Sequence, residues 1–143
     1  MTSLLSVPER ERLYIAKKIV DATLLKWEWS NGAYRISAPV VCESGEELII
    51  RAVYRSKRTR QKYSFGLYYR SVILVRCWDH GAHRNPDGER IAGSHKHPRS
   101  DKVERDWAYP VDDIPLGDPN ESLFAFFEEA RIEVQGNYQL RVF

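Results

Sequence analysis

The sequence predicts an α+β fold: an antiparallel meander sheet of about five strands with an N-terminal and a C-terminal helix packed on it. Three patterns predict this fold. Apolar residues recur with helical spacing near the N-terminus, alternate with a period of two through the middle of the chain, and return to helical spacing near the C-terminus. With 143 residues and 43% hydrophobic content, residues 1–143 are expected to form a single domain with its own core.

The first helix is predicted to begin at a capping box of Ser6 and Glu9, with Pro8 in the first turn, where its missing N–H costs no hydrogen bond. It is expected to continue to about Leu24. One stripe of this helix is apolar and would cover the sheet, and it consists of Leu13, Ala16, Val20 and Leu24.

A hairpin is predicted next, because Asn31 and Gly32 tolerate the positive φ angles that a type I′ turn requires. The register around this turn pairs apolar residues with each other, namely Trp29 with Tyr34, Trp27 with Ile36 and Leu25 with Ala38. Alternation then predicts strands over residues 48–54 and 63–69, and an apolar run predicts a covered fifth strand over residues 72–78.

A second helix is predicted to begin at Asp118, with Glu121 in its first turn, where a negative charge favours the helix dipole. Its packing residues are Leu123, Phe124, Phe126, Phe127 and Ala130. Gly136 is expected to stop or turn the chain before a short strand or tail over residues 138–143.

The segment over residues 78–110 shows neither helical nor strand periodicity, and it contains all four histidines of the chain. A long loop inside a compact domain is usually functional or disordered, and the histidines favour a function here. The N-P-D-G sequence over residues 85–88 is typical of a β-turn. This turn is expected to fold the loop back so that His83 meets His95 and His97.

The histidines of this loop are the candidates for chemistry. His95 and His97 are two residues apart, so in an extended segment they point the same way, about 7 Å apart, as two ligands of one ion or two groups on one phosphate would. His83 or His80, with Asp79, could complete a site for zinc, manganese or iron. Without a metal, two histidines could divide acid and base work in RNA cleavage. The candidate catalytic residues are therefore His83, His95, His97 and Asp79, and the candidate metal ligands are His83, His95 and His97.

The net charge of +2 is small, but residues 51–76 contain eight basic and no acidic residues. Basic residues at a predicted hairpin tip in this region alternate with tyrosines. Proteins bind single-stranded nucleic acids by contacts of basic residues with phosphates and by stacking of bases on aromatic rings. An exposed hairpin end without a ligand is the plain alternative. The candidate nucleic-acid-binding residues are Arg55, Lys57, Arg58, Arg60, Lys62, Lys96 and Arg99.

Cys42 and Cys77 each lie in an apolar run, which predicts two buried thiols and no disulfide, as suits a reducing cytosol. The sequence contains no signal-peptide pattern and no run of about 18 apolar residues that could cross a membrane. The protein is therefore expected to be cytoplasmic, with no membrane partner.

The loop carries a pattern that resembles a known group of small bacterial proteins. W-D-x-x-x-H, N-P-D-G, H-x-H and W-A-Y-P follow one another from Trp78 to Pro110, and together they resemble the TumE-like toxins of toxin–antitoxin modules. A related domain of unknown function, with H-x-N-P-D-G-x-x-I-x-G-x-H-x-H, is more similar still. The resemblance covers residues 26–134 and implies the same order of a helix, an antiparallel sheet, a histidine loop and a closing helix. For the toxins it implies an activity on nucleic acid.

The leading hypothesis is a toxin-like protein of a toxin–antitoxin or mobile-element system that acts on nucleic acid, RNA first, as a ribonuclease or metal-dependent nuclease. An antitoxin or another protein is then an expected partner. The alternative is a non-catalytic interaction or inhibitor protein, encoded by a phage or plasmid, whose histidine loop or metal is structural. A small-molecule binding module, with its site in a groove beside the sheet, is the third hypothesis.

Overall fold

A computed structural model describes residues 5–57, 60–70, 73–81, 83–97, 107–115, 117–138, 141 and 143. Within this part of the chain there are two α-helices, a 3₁₀ helix over Ala22–Leu24, and eleven strands. The helices are α1 (Val7–Ile15) and α2 (Pro119–Glu129). The strands are β1 (Lys18–Asp21), β2 (Glu28–Ser30), β3 (Ala33–Cys42), β4 (Glu47–Lys57), β5 (Arg60–Tyr69), β6 (Ile73–His80), β7 (His83–Arg84), β8 (Arg90–Ile91), β9 (Ser94–Lys96), β10 (Tyr109–Pro110) and β11 (Ile132–Gln135).

Nine of the described strands form one sheet, and β7 and β8 form a separate two-stranded hairpin. The order in the large sheet is β10-β9-β6-β5-β4-β3-β1-β11, and β2 also pairs with β3. All of these pairs are antiparallel except that of β1 with β11, which is parallel. Neither described helix has the length and apolar character needed to span a membrane.

The predicted five-stranded meander with two flanking helices is wrong, because the fold is mostly β and is built on this large mixed sheet. The first helix ends at Ile15, and Lys18–Asp21 forms a strand with alternating burial. Its partner is β11, which immediately follows α2 near the other end of the chain. Local periodicity cannot reveal a parallel pairing between such distant segments. Within residues 138–143, none of the described residues is in a strand.

The loop over residues 78–110 also contributes strands that the sequence did not predict. β9 pairs with the end of β6, and β10 pairs with β9, so the histidine loop extends the sheet at one edge. Each of these segments has only two or three residues. A run of two or three residues is too short to show an alternation of apolar and polar residues. Such segments are stabilised by pairing with the neighbouring strand at the edge of the sheet.

Local turn and cap predictions are confirmed. Asn31 and Gly32 have φ angles of 50° and 77°, and Trp29 pairs with Tyr34 as predicted. β2 is limited to Glu28–Ser30, so the two further predicted pairs of this hairpin do not occur in its ladder. The hydroxyl oxygen of Ser6 caps α1, and a carboxylate oxygen of Asp118 caps α2, so both helices begin where the sequence predicted.

The sheet has two unlike faces. On the core face, defined here by the cross-strand row Ile36, Ala52, Phe65 and Trp78, the side chains are buried against both helices. The ring of Phe126 in α2 lies 6.1 Å from that of Phe65 and 5.2 Å from that of Trp78, between ring centroids. Cys42 and Cys77 are both buried and are not joined in a disulfide, as predicted.

Candidate functional site

The other face of the sheet, the cleft face, carries the row Arg35, Val53, Ser64, Asp79 and His95, which the register aligns across five strands. These residues alternate along their strands with the core-face row, so their side chains point away from the helices. A cleft of about 320 Å³ lies over this row and is lined by Arg35, Arg55, Lys62, Asp79, His83 and His95, among others.

Three cations dominate the charge of this cationic cleft. Arg55 and Lys62 are opposite each other on β4 and β5, and Arg35 lies on the neighbouring strand β3. Among the described residues none of the three forms an ion pair. Their charges are therefore not neutralised by an ion pair within the described part of the chain, and the cleft is suited to an anionic ligand.

A histidine cluster, consisting of His83, His95 and His97, lies at one end of the cleft. The ring centroids of the three residues are 5.1, 5.2 and 5.3 Å apart, so the rings form a nearly equilateral triangle. A possible ligand nitrogen from each ring lies within 4.8 Å of the other two. Such a cluster could hold a metal ion.

Two local features bring the three rings together. His95 and His97 alternate along the strand edge, with His95 paired to Asp79 and the N–H of His97 donating to the carbonyl of Cys77. His83 arrives from the other side of a turn, in which the N–H of Gly88, at a φ of 92°, donates to the carbonyl of Asn85. The N-P-D-G turn thus returns the chain from β7 to β8.

The side chain of Asn85, which the sequence identified only as a turn residue, supports the cluster. It is buried and pairs with the backbone of Ala108, donating from Nδ2 to the carbonyl (2.9 Å) and accepting from the N–H at Oδ1 (2.8 Å). The same Oδ1 lies 3.1 Å from Nε2 of His83. Asn85 therefore fixes the ring of His83 to the segment that carries β10.

Asp79 holds the other two rings. Its Oδ2 lies 3.1 Å from Nε2 of His97 and 3.7 Å from Nε2 of His95. Burial acts to raise the pKa of this carboxyl, but hydrogen bonds from His95, His97 and Ser64 outweigh burial and keep the pKa well below its usual value. Asp79 is therefore ionised at neutral pH and acts as an acceptor. Its Oδ2 also accepts from the thiol of Cys77 at 3.4 Å.

His80, the fourth histidine, is outside the cluster. Its Nδ1 is 2.8 Å from the hydroxyl oxygen of Ser94, and its ring contributes to the cleft wall. Burial, followed by an electrostatic interaction with His95, lowers the pKa of His80. His80 therefore contributes to the cleft wall without belonging to the histidine cluster.

Lys96, predicted to contact nucleic acid, lies on the core face. Its ammonium is buried, 3.0 Å from carboxylate oxygens of both Asp113 and Glu129 and 4.2 Å from the ring centroid of Trp78. Burial acts to lower its pKa, but the hydrogen bonds to the two carboxylates outweigh it and raise the pKa. The charge of Lys96 is satisfied inside the protein, away from the cleft.

The other predicted nucleic-acid residues divide into two groups. Arg55 and Lys62 line the cleft. Lys57 and Arg60 are at the tip of the β4–β5 hairpin, where only the backbone is described, while Arg58 and Arg99 lie outside the described residues. Of the tyrosines considered for base stacking, Tyr54 and Tyr63 are buried and stack on each other, at 5.2 Å between ring centroids.

Sequence reasoning missed Arg35, the third cation of the cleft. A signal for it was present, because the predicted hairpin pairs Trp29 with Tyr34, and the next residue must then point to the opposite face. What the hairpin could not reveal is that β4, β5 and β6 continue the same row toward the histidine cluster.

A family model with the description "Family of unknown function (DUF6978)" matches residues 10–132 of the chain. The matched region contains β1 to β10 and α2, and so includes the whole histidine cluster and the cationic cleft. No curated protein and no solved structure gives a significant match. The match agrees with the resemblance to a domain of unknown function and does not extend to the TumE-like toxins.

Proposed function

We propose that this chain, which belongs to the family of unknown function DUF6978, is a toxin-like protein that binds single-stranded RNA in the cationic cleft and cleaves its backbone at the histidine cluster. The observation that carries this proposal is that one cleft is lined by Arg35, Arg55 and Lys62 together with His83 and His95. RNA is a polyanion with reactive phosphodiesters, so it would use the cations for binding and the histidines for cleavage.

The cations account for binding. Arginine and lysine contacts to phosphates release condensed counterions, and this term supplies most of the sequence-independent affinity for nucleic acid. The volume of about 320 Å³ is at the small end of the roughly 300–1,000 Å³ typical of ligand pockets. It suits a short stretch of one strand better than a folded double helix, and single strands are the usual targets in RNA.

The histidines account for reactivity, and they offer two routes. In one route a histidine removes the proton of the 2′-hydroxyl, the 2′-oxygen bonds to phosphorus, and a second histidine gives a proton to the 5′-oxygen as its bond to phosphorus breaks. In the other route the cluster holds a metal ion that activates a water. Both routes need the cluster beside a bound phosphate.

A second candidate is a non-catalytic interaction protein, and two observations favour it. His95 and His97 are 2% and 3% exposed, as expected of residues that only stabilise the fold. At the other end of the sheet, Ile19, Leu24 and Val41 are each more than 40% exposed, which would suit a protein partner. In this case the cleft would not distinguish RNA from other polyanions.

The binding test uses a charge reversal and a matched control. Lys62→Glu changes a cleft residue, whereas Lys17→Glu makes the same change at an exposed residue beside β1, near the opposite edge of the sheet. In fluorescence anisotropy with a labelled single-stranded RNA, Lys62→Glu should weaken binding by roughly tenfold and reduce its salt dependence. Lys17→Glu should leave both unchanged, and equal effects of the two variants would refute the proposed cleft.

The cleavage test follows the same RNA on a denaturing gel, with DNA of the same sequence beside it. The wild-type chain is expected to cut the RNA and to slow growth when it is expressed in bacteria, and His83→Ala should lose both effects while its circular dichroism is unchanged. Intact RNA after incubation with the folded wild-type protein would instead support the interaction protein.

A further inference from the structure

We propose that His83, His95 and His97 form a metal site that binds one divalent cation with the ligand preferences of zinc, and that the fourth position of this ion faces the cationic cleft. This inference deepens the proposed function. Binding of the ion depends on the histidine cluster alone, whereas its catalytic use rests on the proposed RNA cleavage.

The spacing of the rings fits a single ion. One nitrogen from each ring lies within 4.8 Å of the other two. Zn–N distances are about 2.0–2.1 Å, so the nitrogens of a tetrahedral site lie roughly 3.3 Å apart. Closing the cluster around an ion therefore shortens any nitrogen–nitrogen distance by at most about 1.5 Å, which rotation of the imidazole side chains can provide.

The hydrogen bonds of His83 set a tautomer that suits metal binding. Because the N–H of Ala108 donates to Oδ1 of Asn85, that oxygen is an acceptor, and Nε2 of His83 must be the donor across their 3.1 Å separation. In a neutral imidazole the lone pair is then on Nδ1. A ligating histidine typically donates its other ring N–H to an oxygen acceptor in this way.

The other two rings follow the same rule with different acceptors. Nδ1 of His95 is 3.1 Å from the carbonyl of Gly93 and its Nε2 is 3.7 Å from Oδ2 of Asp79, so a neutral ring that donates to either acceptor keeps its lone pair on the other nitrogen. Nε2 of His97 donates to Asp79 at 3.1 Å, so its lone pair is on Nδ1. An amide, a carbonyl and a carboxylate thus each orient one imidazole, which is the arrangement of supporting acceptors seen around metal-bound histidines.

Burial favours the metal over direct proton transfer to RNA. His95 and His97 are 2% and 3% exposed, so a bound RNA strand cannot contact both imidazole rings directly. An ion held between them can reach the cleft, because His83 and His95 also line its wall. Three protein ligands leave a fourth position, as in catalytic zinc sites.

In the proposed function this position would take a water. The water would lose one proton to the solvent, its oxygen would bond to phosphorus, and the bond to the leaving oxygen would break as that oxygen takes up a proton from the solvent. The cations of the cleft would hold the neighbouring phosphates.

A second group of possible ligands, Cys77, Asp79 and His97, has comparable spacing. Its carboxylate oxygen already accepts from the thiol and from the imidazole, and so acts as an orienting group. This is why we assign the ion to the three histidines, and it makes Cys77→Ser a discriminating variant.

The experiment titrates ZnCl₂ into the chelator-stripped full chain by calorimetry, with Co²⁺ spectroscopy to report tetrahedral geometry. The wild type should bind one equivalent of zinc and become more heat-stable. His83→Ala and His97→Ala should lose this binding, while His80→Ala and Cys77→Ser should keep it. Asn85→Ala, which removes only the acceptor for His83, should weaken zinc binding by about 10–100-fold.

The outcomes separate the ion from the function. Absence of zinc binding by the folded wild type, binding that survives His83→Ala, or loss of binding in Cys77→Ser would overturn the site. Because a His variant could fail to fold, the wild-type stoichiometry, the zinc-dependent thermal shift and the Co²⁺ spectrum provide a test without any substitution. Zinc binding without RNA cleavage would sustain the site and reject the proposed function, whereas equal cleavage by the stripped protein would sustain the proposed function and reject a catalytic use of the ion.

Discussion

The core face and the cleft face of the sheet are made by the same strands and hold their residues by different means. On the core face, Phe65 and Trp78 are almost fully buried against Phe126, so the hydrophobic effect stabilises their positions. On the cleft face, Asp79 and His97 are positioned by hydrogen bonds. One face thus supplies the free energy of folding, which leaves the other able to carry charge and chemistry.

Two lysines show what this difference means for one residue type. Lys96 points to the core face, where Asp113 and Glu129 neutralise it. Lys62 points to the cleft, where it is exposed and, within the described residues, has no ion-pair partner. The face on which a lysine lies therefore decides whether its charge serves the fold or is available to a ligand.

The largest expected effect comes from removing a core-face contact. Phe126→Ala should lower the free energy of unfolding by about 3–5 kcal/mol, because it leaves a cavity between α2 and the sheet. Phe124→Ala, the same substitution at a partly buried position of the same helix, should cost clearly less. Urea denaturation measures both, and equal losses would mean that the core face is not the main source of stability.

An intermediate effect is expected from Lys96→Met, which keeps the apolar stem and removes the charge. It should cost about 1–2 kcal/mol, because two partly exposed carboxylates lose their cation and Trp78 loses a cation–π contact. Lys62→Met should change the free energy of unfolding by less than about 0.5 kcal/mol. For RNA affinity, the larger loss is expected in Lys62→Met. A loss of RNA affinity in Lys96→Met would contradict the placement of Lys96 on the core face and Lys62 on the cleft face.

The smallest effect is expected at an exposed ion pair that belongs to neither face. Two hydrogen bonds from Arg12, at 2.8 and 2.6 Å, and one from Ser44 lower the pKa of Glu46 to about 2. The unfolded chain binds this proton near the usual value of 4.5, so the stabilisation is present above that pH and is lost as the pH falls toward 2. At pH 7, Glu46→Gln should therefore have a lower free energy of unfolding than the wild type, with a smaller loss than in Lys96→Met. The unfolding curves of Glu46→Gln and the wild type should converge near pH 2.

Part of the site could be predicted from the sequence. The N-P-D-G turn and the H-x-H spacing identified the residues that the structure finds together, because both signals concern a few consecutive residues. The same residues gave no indication that Asn85 pairs with Ala108, since that contact joins segments 23 positions apart. Their chemical roles remain predictions for the experiments above.

Local structure could be predicted from the order of residues alone: the caps at Ser6 and Asp118, the Asn31-Gly32 turn, and the alternation that separates the two faces of each strand. The pairing of β1 with β11, and the placement of Lys62 and Lys96 on opposite faces, could be seen only in the folded chain. The physical reason is that capping, turn geometry and alternation act over a few residues. Strand order depends instead on which distant segments bury their backbone groups against one another, and many orders are compatible with one local pattern.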